Sequence, residues 1–345
     1  MVVGSPSGIA RAGSPLGCTD RTERVTTAGY AFISADYQLL PPATGNDIVK
    51  DVQDLLEFMI SRDFKIGSTF RVDPNAIAVA GSSAGGLCAY LAAIHCKNPA
   101  PKAVVSLYGM GADYLTPHYL TPKTKPFFRG REILDPSDFT PYLHPNHLPK
   151  PASASTPDRS LSPFTSLEHT ADSALAYHPQ TYTIPGYPAN PRMLLTRLYL
   201  QLGVFIDYYT GVHEDGGISC ILREALPSTS TSPTTLTEQE AADAEKDVVL
   251  RLLVPLALHP LFPQLSVTSA WPPTFFMHGT HDTAVPVEES RALARRLRRR
   301  GVTVELHELE GAEHSFDYEE GAEQAFVDLF TEVQAFLDRN IGKAS

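Results

Sequence analysis

Two adjacent serines between glycines mark the segment IAVAGSSAGGLCAY as a place where chemistry could occur. The stretch GSSAG, from Gly81 to Gly85, fits the pattern G-x-S-x-G with Ser83 at its centre. An apolar run ends just before it and a helical pattern starts at Ala84, which is typical of a serine nucleophile on a tight strand-to-helix turn. Side chains at the two glycine positions would clash with neighbouring backbone. The N–H of Ala84, the first of the helix, would point towards a developing oxyanion.

A serine hydroxyl is a weak nucleophile unless a base takes its proton, and an acid must orient that base. Asp282 follows the apolar run PTFFMHG, and His314 lies in the segment GAEHSFD, which precedes the last helical pattern. Serine, then acid, then histidine is the chain order expected when the nucleophilic serine lies on a strand-to-helix turn. We therefore expect Ser83 to be the nucleophile, His314 the base and Asp282 the acid.

Nearby titratable residues offer alternatives for the base and the acid. His278 and His281 flank the acid on or just after its own strand, so their side chains are held in other directions, and we expect them to be structural or to support the site. Glu313 and Asp317 are too close to His314 along the chain to be the favoured acid.

Short apolar runs alternate with helical patterns in residues 1–110 and again in residues 271–345. This alternation predicts a parallel sheet covered on both faces. Residues 111–270 are rich in proline and tyrosine and contain stretches rich in proline, serine and threonine, which predicts a long cap or lid insertion with flexible parts. Helices are predicted at Pro191–Tyr209, Glu238–Leu258 and Glu320–Asn340, and strands at Tyr30–Tyr37, Asn75–Gly81, Lys102–Gly109, Pro273–Gly279 and Val302–Leu309.

Four segments carry a family resemblance: SADYQLLPP (Ser34–Pro42), VDPNAIAVAGSSAGG (Val72–Gly86), PPTFFMHGTHDTAVPVEES (Pro272–Ser290) and GAEHSFD (Gly311–Asp317). Together they resemble the α/β-hydrolase fold and, within it, the hormone-sensitive-lipase-like esterases. The chain departs from that group at Ser82, where an aspartate is usual. The resemblance implies a mostly parallel sheet with helices on both faces, a cap over the site, and hydrolysis of carboxylic esters through an acyl-enzyme. It implies no cofactor.

The resemblance also exposes a gap. That group carries a His-Gly-Gly loop whose N–H groups supply most of the oxyanion hole, and no such motif occurs in this chain. Counting back from SADYQLLPP puts the loop at or before Met1, so we expect MVVGSPSG to follow it and the fold to be incomplete at its N-terminus. Losing one oxyanion donor costs roughly 2.7–4 kcal/mol, so we expect weak or no activity from the chain as written.

Two other functions fit the same residues. A peptidase or amidase of the same fold would use the same nucleophile, base and acid. A non-catalytic protein on the hydrolase scaffold would bind a small ligand without turnover, although the presence of serine, acid and histidine together favours an enzyme.

The composition of the chain limits the kinds of partner that it is expected to bind. The 345 residues carry a formal net charge of −11, which argues against nucleic acid as a partner. The four cysteines form no C-x-x-C pair, which favours reduced thiols and a cytoplasmic location. No uninterrupted apolar stretch is long enough for stable membrane insertion, and no ligand spacing indicates a metal. A small-molecule ester is the expected partner, and the sequence does not specify an oligomeric state.

Overall fold

The computed structural model describes residues 2–4, 18–35, 37–66, 71–147, 194–226 and 234–342. Its strands are β1 (Val2–Gly4), β2 (Ile33–Ala35), β3 (Ala78–Ser82), β4 (Ala103–Leu107), β5 (Thr274–Gly279) and β6 (Val304–Leu309). Its α-helices are α1 (Cys18–Thr27), α2 (Gly45–Ile60), α3 (Ala84–His95), α4 (Pro117–Leu120), α5 (Leu195–Leu202), α6 (Phe205–Thr210), α7 (Gly217–Glu224), α8 (Leu236–Leu253), α9 (Val287–Arg299), α10 (Ala322–Ala325) and α11 (Val327–Ile341). Short 3₁₀ turns occur at Pro136–Tyr142, Pro145–His147, Glu214–Gly216, Leu256–Leu261, Pro263–Leu265 and Phe316–Tyr318.

The six strands form one sheet in the order β2-β1-β3-β4-β5-β6. Every neighbouring pair is parallel. Their carboxyl ends therefore lie at the same edge of the sheet, where ligands bind in open α/β folds. The predicted parallel sheet is confirmed.

Helices cover both faces of this sheet. Strands β3, β4 and β5 are buried along their whole length, which fits their continuous apolar composition. Adjacent residues of a strand point to opposite faces. The ring of Phe275 lies 5.5 Å from that of Phe336 in α11, whereas the ring of Phe276 lies 6.4 Å from that of Tyr90 in α3. These two contacts place α11 on one face and α3 on the other.

The chain divides into two compact units. The first comprises Met1–Tyr37, Val49–Asp113 and Phe262–Ser345, and the second comprises Gln38–Ile48 and Tyr114–Leu261. The first unit contains the whole sheet. The second contains most of the predicted insertion, whose role as a cap stays a prediction.

Buried aromatic residues form much of the core of the second unit. The ring of Tyr114 lies 4.9 Å from that of Tyr119 and 5.5 Å from that of Tyr209. The rings of Tyr199 and Tyr208 stack at 3.7 Å with an angle of 8° between their planes. The aromatic residues that the sequence shows here thus pack against one another inside this unit.

The helix predicted at Pro191–Tyr209 is wrong as one element, because α5 ends at Leu202 and α6 begins at Phe205. Gly203 separates them with φ 66°, a left-handed conformation that suits glycine. A Cβ on Gly203 would lie 2.5 Å from the carbonyl oxygen of Leu120, so the backbone approaches too closely for a side chain. Residues 191–193 lie outside the described part of the chain.

Other elements also differ from prediction. The helix expected at Glu238–Leu258 spans Leu236–Leu253. The strand expected at Tyr30–Tyr37 is three residues long. The final helix is interrupted at Phe326, which has a non-helical backbone and separates α10 from α11. Phe326 still packs against the buried core cluster, so the apolar pattern that suggested one helix reflects burial across the break.

The position of β1 also corrects an expectation. Val2–Gly4 form an interior strand between β2 and β3, with Gly4 paired to Gly81. Because β1 is parallel to β3, a loop that faces the carboxyl end of β3 has to follow Gly4. The expectation that this segment comes after such a loop is therefore wrong. Residues 5–17 lie outside the described residues, and the expected incompleteness of the N-terminus stays a prediction.

Candidate active site

Ser83 lies on a sharp turn between β3, which ends at Ser82, and α3, which begins at Ala84. Its backbone angles are φ 54° and ψ −123°, which a residue with a side chain rarely adopts. Such a conformation costs about 1–3 kcal/mol and persists only where the surroundings hold it in place. The turn places Ser83, which is partly exposed, at the carboxyl edge of the sheet.

Close backbone contacts explain two glycines at and just after this turn, Gly81 and Gly86. A Cβ on Gly81 would lie 1.9 Å from the carbonyl oxygen of Gly85. A Cβ on Gly86 would lie 2.3 Å from the Cα of Gly109, in the segment after β4. Helix α3 can approach the sheet this closely only without side chains at these positions.

Hydrogen bonds hold the strained serine from both sides. The N–H of Ser83 donates to the carbonyl oxygen of Leu107 at 3.0 Å. Its own carbonyl oxygen accepts from the N–H groups of Gly86 at 2.9 Å and Met110 at 3.0 Å. The chain after β4 therefore helps to fix the turn.

The structure brings the three predicted side chains into one hydrogen-bonded line. His314 Nε2 lies 3.0 Å from Ser83 Oγ, and His314 Nδ1 lies 2.7 Å from Asp282 Oδ2. Asp282 and His314 are 8% and 5% exposed. A carboxylate only accepts, so Nδ1 carries the proton that faces Asp282, which leaves Nε2 free to accept from the serine hydroxyl.

Asp282 is held by donors on both of its oxygens. Its Oδ1 accepts from the N–H groups of Ala284 at 2.9 Å and Val285 at 2.8 Å. Burial by itself raises the pKa of the Asp282 carboxyl, but hydrogen bonds from His278 and His314 outweigh burial and lower that pKa to about 2. The Asp282 carboxyl is therefore ionised at neutral pH.

His278 is the alternative base that the structure places behind the acid. It is fully buried, and its Nε2 lies 2.8 Å from the carbonyl oxygen of Val285 and 3.3 Å from Asp282 Oδ2. Both oxygens only accept, so Nε2 carries the proton. Its Nδ1 lies 2.8 Å from Ser290 Oγ. His278 thus contacts Asp282, and none of these contacts involves Ser83.

The contacts shown for two other titratable candidates do not involve Ser83. His281 is exposed, and its backbone N–H donates to the carbonyl oxygen of Ala312 at 3.0 Å. Asp317 accepts from the hydroxyl of Tyr108 at 2.6 Å.

Glu313 has a role that sequence reasoning missed. Its Oε1 accepts from the backbone N–H of Thr283 at 2.7 Å and from that of His314 at 2.8 Å, and its Oε2 accepts from the Thr283 hydroxyl at 2.7 Å. It therefore ties the loop that carries the acid to the loop that carries the histidine. The pairing depends on how two distant loops meet, for which the sequence holds no signal.

Ala84 begins α3, and the first N–H groups of a helix lack partners within the helix and lie at its positive end. Its position immediately after Ser83 suits the predicted oxyanion donor. Within the described ranges, no cluster of three or more histidine, cysteine, aspartate or glutamate side chains is arranged to hold a metal ion. None of the described helices is both long and apolar enough to cross a membrane.

Two family models match different parts of the chain. The prolyl oligopeptidase family matches residues 257–344, which include Asp282 and His314, and the family described as BD-FAE matches residues 13–124, which include Ser83. Together with the sheet and the serine turn, these matches indicate an α/β-hydrolase fold.

Solved structures and one curated protein show further similarity. Apo esterase 2 of Thermogutta terrifontis is 15% identical, with a TM-score of 0.48, and the match covers 100% of this chain and 84% of that one. An acetyl ester-xyloside bifunctional hydrolase from Caldicellulosiruptor lactoaceticus is 17% identical, with a TM-score of 0.44 and the same coverage. The non-reducing polyketide synthase Preu3 of Preussia isomera is 49% identical over 45 residues, which span 13% of this chain and 2% of that protein.

Proposed function

We propose that this protein is a serine hydrolase that cleaves carboxylic esters of small molecules through an acyl-enzyme. The observation that carries the proposal is the line from Asp282 Oδ2 through His314 to Ser83 Oγ, with distances of 2.7 Å and 3.0 Å. A serine, a base within hydrogen-bonding reach and an orienting acid are the parts that acyl transfer needs.

Each residue has one role in the proposed reaction. Ser83 Oγ attacks the ester carbonyl while His314 Nε2 takes its proton. The proton then passes to the leaving alcohol. Water, activated by the same imidazole, hydrolyses the acyl-enzyme and releases the carboxylic acid product from Ser83. Asp282 keeps the imidazole in the required tautomer and stabilises its positive form, and the N–H of Ala84 stabilises the oxyanion. The weak turnover expected from the sequence stays a prediction.

Covalent labelling tests the nucleophile directly. A fluorophosphonate probe should label the wild-type protein at one residue, and Ser83→Ala should abolish the labelling. Ser82→Ala removes the adjacent hydroxyl and is the matched control, which should still be labelled. Labelling that persists in Ser83→Ala would show that the nucleophile is misassigned. A wild-type protein that binds a small ligand but takes no label would favour a non-catalytic role.

Peptide or amide hydrolysis is the second candidate, because the prolyl oligopeptidase model matches the part of the chain with the acid and the histidine. Initial rates on p-nitrophenyl acetate and butyrate should be compared with those on p-nitroanilide peptides. We expect turnover of the esters alone. Faster turnover of the anilides would reverse the assignment.

We also propose that the protein is cytoplasmic and does not bind nucleic acid. The net charge of −11 and the free thiols of Cys88, Cys96 and Cys220 support this. A fluorescent fusion of the full chain would test the location. A gel-shift titration with DNA and RNA would test the second point.

A further inference from the structure

A buried tyrosine–aspartate pair lies beside the histidine of the proposed site. The Tyr108 hydroxyl donates to Asp317 Oδ1 at 2.6 Å, and the two residues are 1% and 4% exposed. A buried polar group that loses its partner carries the full cost of having left water. A hydrogen bond to a carboxylate at this distance is also of the strong, charge-assisted kind. The pair is therefore a firm tie between the end of β4 and the loop after His314.

The ring of Tyr108 contacts that same loop. Its centroid lies 4.5 Å from the His314 ring, with an angle of 61° between the planes, and 5.5 Å from the Phe316 ring. Tyr108 thus touches the loop at three places: the imidazole, the neighbouring phenyl ring and the Asp317 carboxylate. Contact with a packed ring limits how far the imidazole can turn away from Ser83.

The backbone of Tyr108 belongs to the segment that also holds the nucleophile. Its N–H donates to the carbonyl oxygen of Met277 in β5 at 2.8 Å. The preceding residue, Leu107, accepts from the N–H of Ser83. Tyr108 itself has φ 39°, a strained angle for a residue with a side chain, and such strain tends to occur at functional sites. The same few residues therefore support both the serine and the histidine.

We propose that Tyr108 and Asp317 are positioning residues for the reaction. This proposal rests on the proposed function. Their hydrogen bond holds the tyrosine ring against the imidazole and keeps His314 Nε2 within reach of Ser83 Oγ. The effect depends on an acceptor oxygen at Asp317. Small misplacements of a catalytic group reduce turnover more than substrate binding.

Four variants test this proposal on p-nitrophenyl butyrate. Tyr108→Phe removes the hydroxyl, and Asp317→Ala removes its acceptor. Each should lower kcat about 10-fold with KM within about twofold of wild type, because the lost hydrogen bond acts by changing the position of His314. Asp317→Asn keeps an acceptor oxygen and should recover most of kcat. Tyr30→Phe removes a second tyrosine–aspartate bond, 2.6 Å to Asp338, and should leave kcat unchanged.

A direct readout of the histidine separates this proposal from the proposed function. The His314 Nδ1 proton, bound to Asp282, should give a far-downfield NMR signal in wild type and Tyr30→Phe, and that signal should broaden or vanish in Tyr108→Phe. A wild-type protein that neither hydrolyses esters nor takes a fluorophosphonate label would refute the proposed function, while the NMR comparison would still test the pair. Wild-type kcat and an unchanged signal in Tyr108→Phe would overturn the positioning role. If Tyr108→Phe does not fold, the contrast between Asp317→Ala and Asp317→Asn decides in the same way.

Discussion

The acid of the proposed site makes a measurable contribution to folding stability. Its pKa is lowered from an ordinary value of 3.8 to about 2, because its hydrogen bonds stabilise the ionised form. A shift of this size corresponds to about 2 kcal/mol, since one pKa unit is about 1.4 kcal/mol. A lowered pKa in the folded state means that this contribution is fully present above about pH 4 and is lost as the pH falls towards 2.

Replacing Asp282 by asparagine removes the titrating group. We expect wild type to lose about 1 kcal/mol of this contribution by pH 3, about half of its value at pH 7, while the variant loses none of it. The difference in unfolding free energy between the two proteins should therefore change by about 1 kcal/mol between pH 7 and pH 3. Comparing the same two proteins at each pH cancels the other carboxylates.

The assay is urea unfolding followed by tryptophan fluorescence. Trp271 is the only tryptophan in the chain and is 4% exposed within the unit that contains the site, so its signal reports the unfolding of that unit. A difference between wild type and Asp282→Asn that stays the same at pH 7 and pH 3, within a few tenths of a kcal/mol, would refute the reasoning.

Three other changes have clear expected outcomes. Gly81→Ala places a Cβ 1.9 Å from the Gly85 carbonyl oxygen, so we expect more than about 3 kcal/mol of destabilisation, or no soluble protein, on expression and thermal unfolding. Glu313→Gln weakens the tie to Thr283, and we expect kcat on a p-nitrophenyl ester to fall about 3- to 10-fold while the melting temperature changes little. Burial, together with two neighbouring histidines, lowers the pKa of His213 to about 3. Because the unfolded chain then binds a proton that the folded chain does not, the second unit should lose stability as the pH falls below about 6.5. His213→Phe should reduce this pH dependence in acid-unfolding curves.

Local signals in the sequence were sufficient to predict the sheet and the three aligned side chains. The turn at Ser83 needs glycine at Gly81 and Gly86 because a Cβ at either position would meet neighbouring backbone, so its location can be predicted from a short local stretch of sequence. Asp282 and His314 each follow an apolar strand, and parallel strands end at one edge, so topology alone brings them near the serine. Their catalytic roles stay predictions.

Contacts between distant segments could not be predicted in this way. The break at Gly203 comes from the approach of the Leu120 carbonyl, and the tie through Glu313 comes from two loops more than 25 residues apart along the chain. The support that His278 gives to the acid depends on its Nε2 facing Asp282, which no spacing rule specifies. Each of these depends on packing, and packing follows only once the whole fold is in place.

The interior position of β1 has a consequence for biosynthesis. Its neighbour β3 lies 77 residues further on, from Val2 to Val79, so β1 leaves the ribosome long before the strand that encloses it. At roughly 5–20 residues per second, that wait is about 4–15 s. During this time β1 can pair only with β2, which leaves its other edge open. We therefore expect added chaperone capacity during translation to raise the soluble yield of this protein.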